Sequence, residues 1–220
     1  MGRMRNYYEP WLRRWRARYP ELETLLGRAI DAFDAIEERK CVSSELLAPI
    51  VEAASGPRTP LWENAIDLLG RLTGQYGEAR DAVVAMAQYP RSHVRLNAIC
   101  CLKKSTPTEM TLQLLREALR DKSARVRWKA ADKAVSLRLR EIVPELAQAD
   151  RVEKHGRAKS EISFSLSMLR DGYILERWAD GTFQVTTFIS NGISGRNVTE
   201  SELQRRGINA IVAEIASGTI

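Results

Sequence analysis

The chain has 220 residues, 44% of them apolar and 28% charged, enough to bury a sizeable core and too apolar to stay disordered. Its net charge is +6, and no stretch approaches 18 uncharged apolar residues, so no transmembrane helix is expected. Cys41, Cys100 and Cys101 make an odd set with two adjacent members, and Met1 to Tyr19 lacks an apolar signal core. Both features fit a reducing, cytoplasmic setting better than a secreted disulfide scaffold.

The chain opens on Arg3, Arg5, Arg13, Arg14, Arg16 and Arg18 against Glu9 alone. Tyr8, Trp11, Leu12, Trp15 and Tyr19 fall at helical spacing, with the arginines mostly elsewhere on the wheel. The expectation is a capping helix over residues 1–20 that packs on the next element and shows its arginines to water. The alternative is a basic amphipathic helix for a membrane surface or nucleic acid. Glu21 to Ala54 then reads as two amphipathic helices, one with Leu25, Ala29 and Phe33, the next with Leu46, Leu47, Ile50 and Val51.

Internal periodicity follows. Leu61-Trp-Glu-Asn-Ala65, Val94-Arg-Leu-Asn-Ala98 and Val126-Arg-Trp-Lys-Ala130 start 33 and 32 residues apart. Each opens an apolar stripe on one helix face: Leu61, Ala65, Leu68, Leu69, Leu72; Val94, Ala98, Ile99, Cys101, Leu102; Val126, Ala130, Ala134, Val135, Leu137. A second amphipathic run follows each, at Ala79 to Gln88, Pro107 to Arg120 and Arg140 to Ala149. Such helical pairs cannot bury their apolar faces alone, so they stack.

The segment Asp121-Lys-Ser-Ala-Arg-Val126-Arg127-Trp-Lys-Ala130 resembles the opening of a HEAT repeat: an Asp, then Val-Arg, then Ala on the first helix. Val94-Arg95 matches it, with Tyr89-Pro90 where the Asp would stand; Leu61-Trp62 keeps the apolar position and loses the Arg. The resemblance covers roughly residues 58–150. It implies a mainly α, right-handed α-solenoid of HEAT-like helical hairpins, here placed at residues 21–170, with Arg151 to Leu169 as a final helix. It also implies that Arg95 and Arg127 pair with acidic groups in neighbouring turns.

Residues 171–220 change character. Gly172 to Trp178 and Thr182 to Ser190 are β-branched and aromatic, and Asp180-Gly181 between them signals a hairpin. Asn191 to Asn197 reads as a loop by composition. Thr199-Glu-Ser-Glu202 is a capping box opening a short helix that Gly207 closes, and Ile208, Ile211, Val212 and Ile215 form a last helical stripe.

No catalytic constellation is apparent, and no cofactor is expected. His93 and His155 are the two histidines, and neither has a partner at metal-ligand spacing. Adjacent Cys100 and Cys101 read as a core residue beside a surface one. Asn191-Gly-Ile-Ser-Gly-Arg196 lacks a Walker lysine and reads as a turn. Glu37-Glu38 sits beside Arg39 and Lys40 and reads as a solvated helix end. One enzymatic alternative is similarity to HEAT-like alkylpurine DNA glycosylases, which implies an aromatic and a carboxylate around a cationic base; Trp128 and Asp132 are the matching pair.

Residues 91–140 carry thirteen Lys or Arg against Glu109, Glu117, Asp121 and Asp132. Outside the signature, the candidate contact residues are Arg91, Lys103, Lys104, Arg116, Arg120, Lys122, Arg125, Lys129, Lys133, Arg138 and Arg140. Several fall at inter-helix turns, where successive repeats align them along an edge. The leading expectation is a non-enzymatic scaffold with an acidic protein partner; nucleic acid is the alternative, without sequence-specific readout.

Overall fold

The computed structural model describes residues 3–16, 18–56 and 62–218, with the backbone alone for Arg3, Trp15 and Leu22. Leu61, the first position of the earliest repeat segment, lies outside them, as does the side chain of Trp15. The chain divides into two compact units, Met1–Lys129 and Ala130–Ile220.

The first unit is helical: α1 (Arg3–Arg16), α2 (Pro20–Arg39), α3 (Ser44–Ser55), α4 (Trp62–Thr73), α5 (Gly77–Ala87), α6 (Ser92–Cys101), α7 (Thr108–Ala118) and the start of α8 (Ala124–Leu137). Local chemistry sets several boundaries. Pro20 opens α2 with its fixed φ, and the Ser43 hydroxyl caps α3 by accepting from the Leu46 N–H at 3.3 Å. Helices α2, α4 and α6 touch in one layer and α3, α5 and α7 in a second, the layering of stacked hairpins.

The apolar stripes supply the core. Leu68, Leu69 and Leu72 of α4 and Ile99 of α6 are essentially inaccessible. Each such side chain contributes about 1.5–3 kcal/mol by leaving water. Helix α6 departs from expectation. Every residue from Val94 to Cys101 is buried, so Cys100 and Cys101 are both core residues. The reason is packing on several sides, since α6 contacts α3, α4, α5 and α7.

Polar groups lock neighbouring hairpins together. Thr73 and Thr106, 33 positions apart, share a buried 2.8 Å hydroxyl–hydroxyl bond. Asn97 Nδ2 donates to the carbonyls of Ala54 (2.8 Å) and Gly56 (3.2 Å) at the end of α3. Close approach of α4 and α6 requires Gly70, where a Cβ would stand 2.4 Å from the Cys101 carbonyl oxygen.

Helix α1 packs on α2. Asp34 of α2 accepts the Met4 and Arg5 backbone N–H groups, each at 2.9 Å, and so caps the first turn of α1 from another helix. Tyr8 and Leu12 are buried as the stripe predicts, whereas Trp11 is 51% exposed and Tyr7 73% exposed.

In the second unit α8 ends at Leu137. A 3₁₀ turn (Arg140–Ile142), α9 (Val143–Val152), α10 (Gly156–Asp171), strands β1 (Tyr173–Arg177), β2 (Phe183–Ile189) and β3 (Gly192–Val198), and helices α11 (Glu200–Arg206) and α12 (Ile208–Ser217) follow. The expected single helix from Arg151 to Leu169 is broken. Glu153 Oε1 accepts from the Lys154 and His155 N–H groups (3.0 and 2.8 Å), ending α9 and turning the chain into α10. The strands form an antiparallel sheet in the order β1-β2-β3. The β1–β2 hairpin turns at Asp180-Gly181 as expected, with Gly181 at φ 85 and Asp180 Oδ1 accepting from the Thr182 N–H at 2.9 Å.

The segment Asn191 to Asn197 is not a loop. Ile189 pairs with Gly192 across a two-residue turn, and residues 192–198 run as β3 against β2. Composition hid the strand because Gly192 and Gly195 take the places of side chains; the Thr186 hydroxyl comes 3.0 Å from where a Cβ on Gly195 would stand. Half of the capping box holds: Thr199 Oγ1 accepts from the Glu202 N–H at 3.2 Å, while the Glu202 carboxylate goes to Arg196 and Arg206; Gly207 follows α11 at φ 75. Val185, Val198, Ile211 and Ile215 form a core of their own between this sheet and α12.

Candidate binding edge

The signature arginine Arg95 is buried, and its guanidinium holds two turns at once. Its Nε and Nη2 grip Asp121 at 2.6 and 2.8 Å, and its Nη1 donates to the carbonyls of Tyr89 (2.9 Å) and Pro90 (2.7 Å). The hydrogen bond to Asp121 raises the Arg95 pKa. Burial alone would raise the Asp121 carboxyl; hydrogen bonds from Arg95 and from the Ser123 N–H reverse this and leave it lowered. The next signature residue, Arg127, donates from Nη1 to the Asp121 carbonyl at 2.7 Å. Arg95 therefore pairs with an acidic group of the neighbouring turn, as the resemblance implies, whereas Arg127 is seen on the backbone of that turn.

This ladder fixes the surroundings of the exposed cations. Arg91 stands at the N-cap of α6, next to the Pro90 carbonyl that Arg95 holds. Arg120 and Lys122 flank Asp121, and Arg125 lies in the first turn of α8. All four lie at the surface and have no ion-pair partner among the described residues. The one carboxylate of the turn, Asp121, is already committed to Arg95. Helix N-termini add to this charge. Neither α6 nor α8 has an acidic residue in its first turn, so the roughly half positive charge at each N-terminus is offset by no carboxylate of its own helix; Asp121, just before α8, is the nearby carboxylate and Arg95 holds it. Tyr89, 47% exposed, sits on the same edge. Neither this aromatic nor the helix ends are visible in a count of basic residues; Tyr89-Pro90 reads only as a turn.

The other candidates divide. Arg116 is half-buried in the last turn of α7, and Lys104 is exposed. Lys103 is committed to Asp67 at 2.9 Å. Lys129 Nζ stands 5.7 Å from the centroid of the Trp128 ring, beside the indole that a cationic base would need. Lys133, Arg138 and Arg140 belong to the second unit. There Arg138 adopts a left-handed conformation (φ 58), lies 5.1 Å from the centroid of Phe188, and donates to the carbonyls of Ile189 and Ser190. It serves as a clamp on the β2–β3 turn. Arg140 is exposed and Lys133 half-buried.

Elsewhere in the first unit a groove of about 710 Å³ is lined by Met4, Tyr7, Phe33, Asp34 and Glu37 among others, and by none of the predicted contact residues. Its carboxylates are occupied, Asp34 by the α1 N–H groups and Glu37 by Lys40 at 3.2 Å. Among the described residues no cluster of three His, Cys, Asp or Glu could hold a metal ion, and no helix is long and apolar enough to cross a membrane.

Residues 47–136 match the family model for HEAT repeats. This stretch carries HEAT repeats. The match runs from α3 into α8 and includes the whole Arg95–Asp121 ladder. A search of the curated proteins finds no match.

Proposed function

We propose that this HEAT-repeat protein is a non-enzymatic binding scaffold whose basic turn edge receives an acidic segment of a protein partner. HEAT repeats commonly serve as protein-interaction scaffolds, which supports the general reading. The observation that carries the specific one is the uncompensated charge of Arg91, Arg120, Lys122 and Arg125 above two helix N-termini without acidic residues. Cations at helix N-termini oppose the dipole and cost stability. An anion bound along the edge removes that cost and collects free backbone N–H groups as well.

The test is anisotropy of a labelled oligoglutamate peptide titrated with the protein across a salt series. Reversal to Glu at Arg91, Arg120, Lys122 and Arg125 together is expected to weaken binding at least about fourfold, from roughly 0.2–1 kcal/mol per exposed pair. Equal binding by the quadruple variant removes the edge as the site. Exposure of Tyr89 favours nucleic acid as the second reading, since an aromatic among cations can stack on a base. Tighter binding of an oligonucleotide than of the peptide, abolished in the same variant, would replace the first reading with the second.

A further inference from the structure

The groove of about 710 Å³ in the first unit has linings of opposite polarity. Helix α2 brings the carboxylates of Asp34 and Glu37 to it. The end of α4 and the turns after α4 and α6 bring Arg71, Gln75 and Ser105. Phe33, 4% exposed, and the ring of Tyr7 add apolar surface. Tyr7 is braced edge-on against the buried Tyr8, with ring centroids 5.0 Å apart, so it forms a wall of the groove.

Neither polar lining is saturated. Asp34 Oδ1 and Oδ2 each accept one N–H from α1, and each keeps a further acceptor position. Glu37 meets Lys40 through Oε2 alone, in an i,i+3 pair whose lysine is 69% exposed, and such pairs contribute little. On the other side Asp67 serves two cations, Arg71 through Nε at 2.7 Å and Lys103 at 2.9 Å. One carboxylate cannot neutralise both, and the Arg71 Nη groups have no acceptor among the described residues. The side chains of Gln75 and Ser105 make no hydrogen bond among them either. Gly74 lets the end of α4 close on Ser105, since a Cβ there would stand 2.7 Å from the serine Cβ.

We infer that this groove binds a small zwitterion with an apolar body, of the class of a free amino acid or dipeptide. Its ammonium group meets Asp34 and Glu37, its carboxylate meets Arg71 and Ser105, and its apolar side chain lies on Phe33 and Tyr7. The volume falls within the roughly 300–1,000 Å³ of ligand pockets. An ammonium donates three hydrogen bonds and suits carboxylates with acceptor positions to spare; a carboxylate suits a guanidinium with open Nη groups. A purely anionic ligand would face the α2 carboxylates, and a purely cationic one the surplus charge at Arg71. A wholly apolar one would strip water from both linings and replace none of its hydrogen bonds. The site is separate from the basic turn edge and stands whether or not that edge binds an acidic protein.

The experiment uses the full chain and titrates it calorimetrically with the dipeptide leucyl-phenylalanine, with its N-acetyl form and with its C-terminal amide. The free dipeptide is expected to bind, and blocking either end is expected to weaken binding about tenfold or more. Glu37→Gln should weaken the free dipeptide and add no loss for the N-acetyl form. Arg71→Gln should weaken the free dipeptide and add no loss for the amide. A groove that was merely disturbed would not give this end-matched pattern. Both side chains are partly exposed, so neither variant threatens the fold. Reversal of Arg91, Arg120, Lys122 and Arg125 should leave this binding in place. The proposal falls if the free dipeptide does not bind at millimolar concentration, or if either blocked form binds as tightly as the free one. It also falls if the losses from Glu37→Gln and Arg71→Gln are the same whichever end is blocked.

Discussion

Replacing Arg95 with Ala is the sharpest perturbation the ladder permits. The side chains of Arg95 and Asp121 are 9% and 10% exposed and meet through two hydrogen bonds, and Arg95 also satisfies two carbonyls. Removing it leaves a nearly buried carboxylate without its counter-ion and frees the Tyr89–Pro90 turn. Breaking a buried pair from one side costs about 3–5 kcal/mol. The remaining exposure favours the lower figure, which corresponds to a fall in melting temperature of about 6–12 °C for a chain of this size. Arg91→Ala, four residues away on the exposed edge, should change stability by less than about 0.5 kcal/mol. Urea unfolding followed by circular dichroism at 222 nm measures both. The double substitution Arg95→Leu with Asp121→Leu should cost less than the sum of the singles, because neither charge is then stranded. The pH response has a definite sign. The folded Asp121 pKa is depressed, so its contribution is present above the ordinary Asp range near 3.9 and is lost as pH falls through the lower folded value. An Arg95→Ala cost indistinguishable from that of Arg91→Ala would refute the ladder.

Two other substitutions probe the packing. Gly70→Ala would drive a Cβ to 2.4 Å from the Cys101 carbonyl, a backbone atom that cannot swing away; a loss of about 1–3 kcal/mol in urea unfolding is expected. In the C-terminal lobe Arg206 and Arg196 converge on Glu214, and the Arg206 hydrogen bond leads in depressing its pKa. Protection of α12 amides against hydrogen exchange should hold above pH about 4.3 and decline as pH falls through the depressed value. Glu214→Gln should lose that pH dependence, and unchanged dependence in the variant would count against the pairing.

The repeat was legible because its information is local. Apolar spacing, Val-Arg and Ala recur in phase, and the capping box and Asp-Gly turn carry their chemistry within four residues. What stayed hidden depends on partners far along the chain. Arg138 looks like any surface cation until the β2–β3 turn, about 50 residues later, comes to its guanidinium. Lys103 reads as free until Asp67 of the preceding repeat meets it. Strand β3 lacks an apolar alternation because one of its inward positions is Arg196, paired with Glu202 and Glu214. Tyr7 and Tyr8 are adjacent aromatics, and only the angle at which α1 meets α2 decides which of them is covered.

The Arg95 ladder has a consequence for how such an array can grow. Donor and acceptor lie at opposite ends of one stretch, Arg95 near the beginning and Asp121 at its close. A gene duplication that copied residues 90–121 would carry a complete fastening with it, ready to latch in the new copy without any change to its neighbours. The preceding hairpin has no such autonomy: Trp62 stands where the arginine would be and Tyr89 where the aspartate would be, so both halves of the fastening are missing together. That hairpin is tied to the next one by Asp67 on Lys103 and by the Thr73–Thr106 hydroxyl bond, so a copy of it would depend on those contacts and on its apolar faces. The central stretch is the natural cassette for lengthening this protein, in evolution or at the bench.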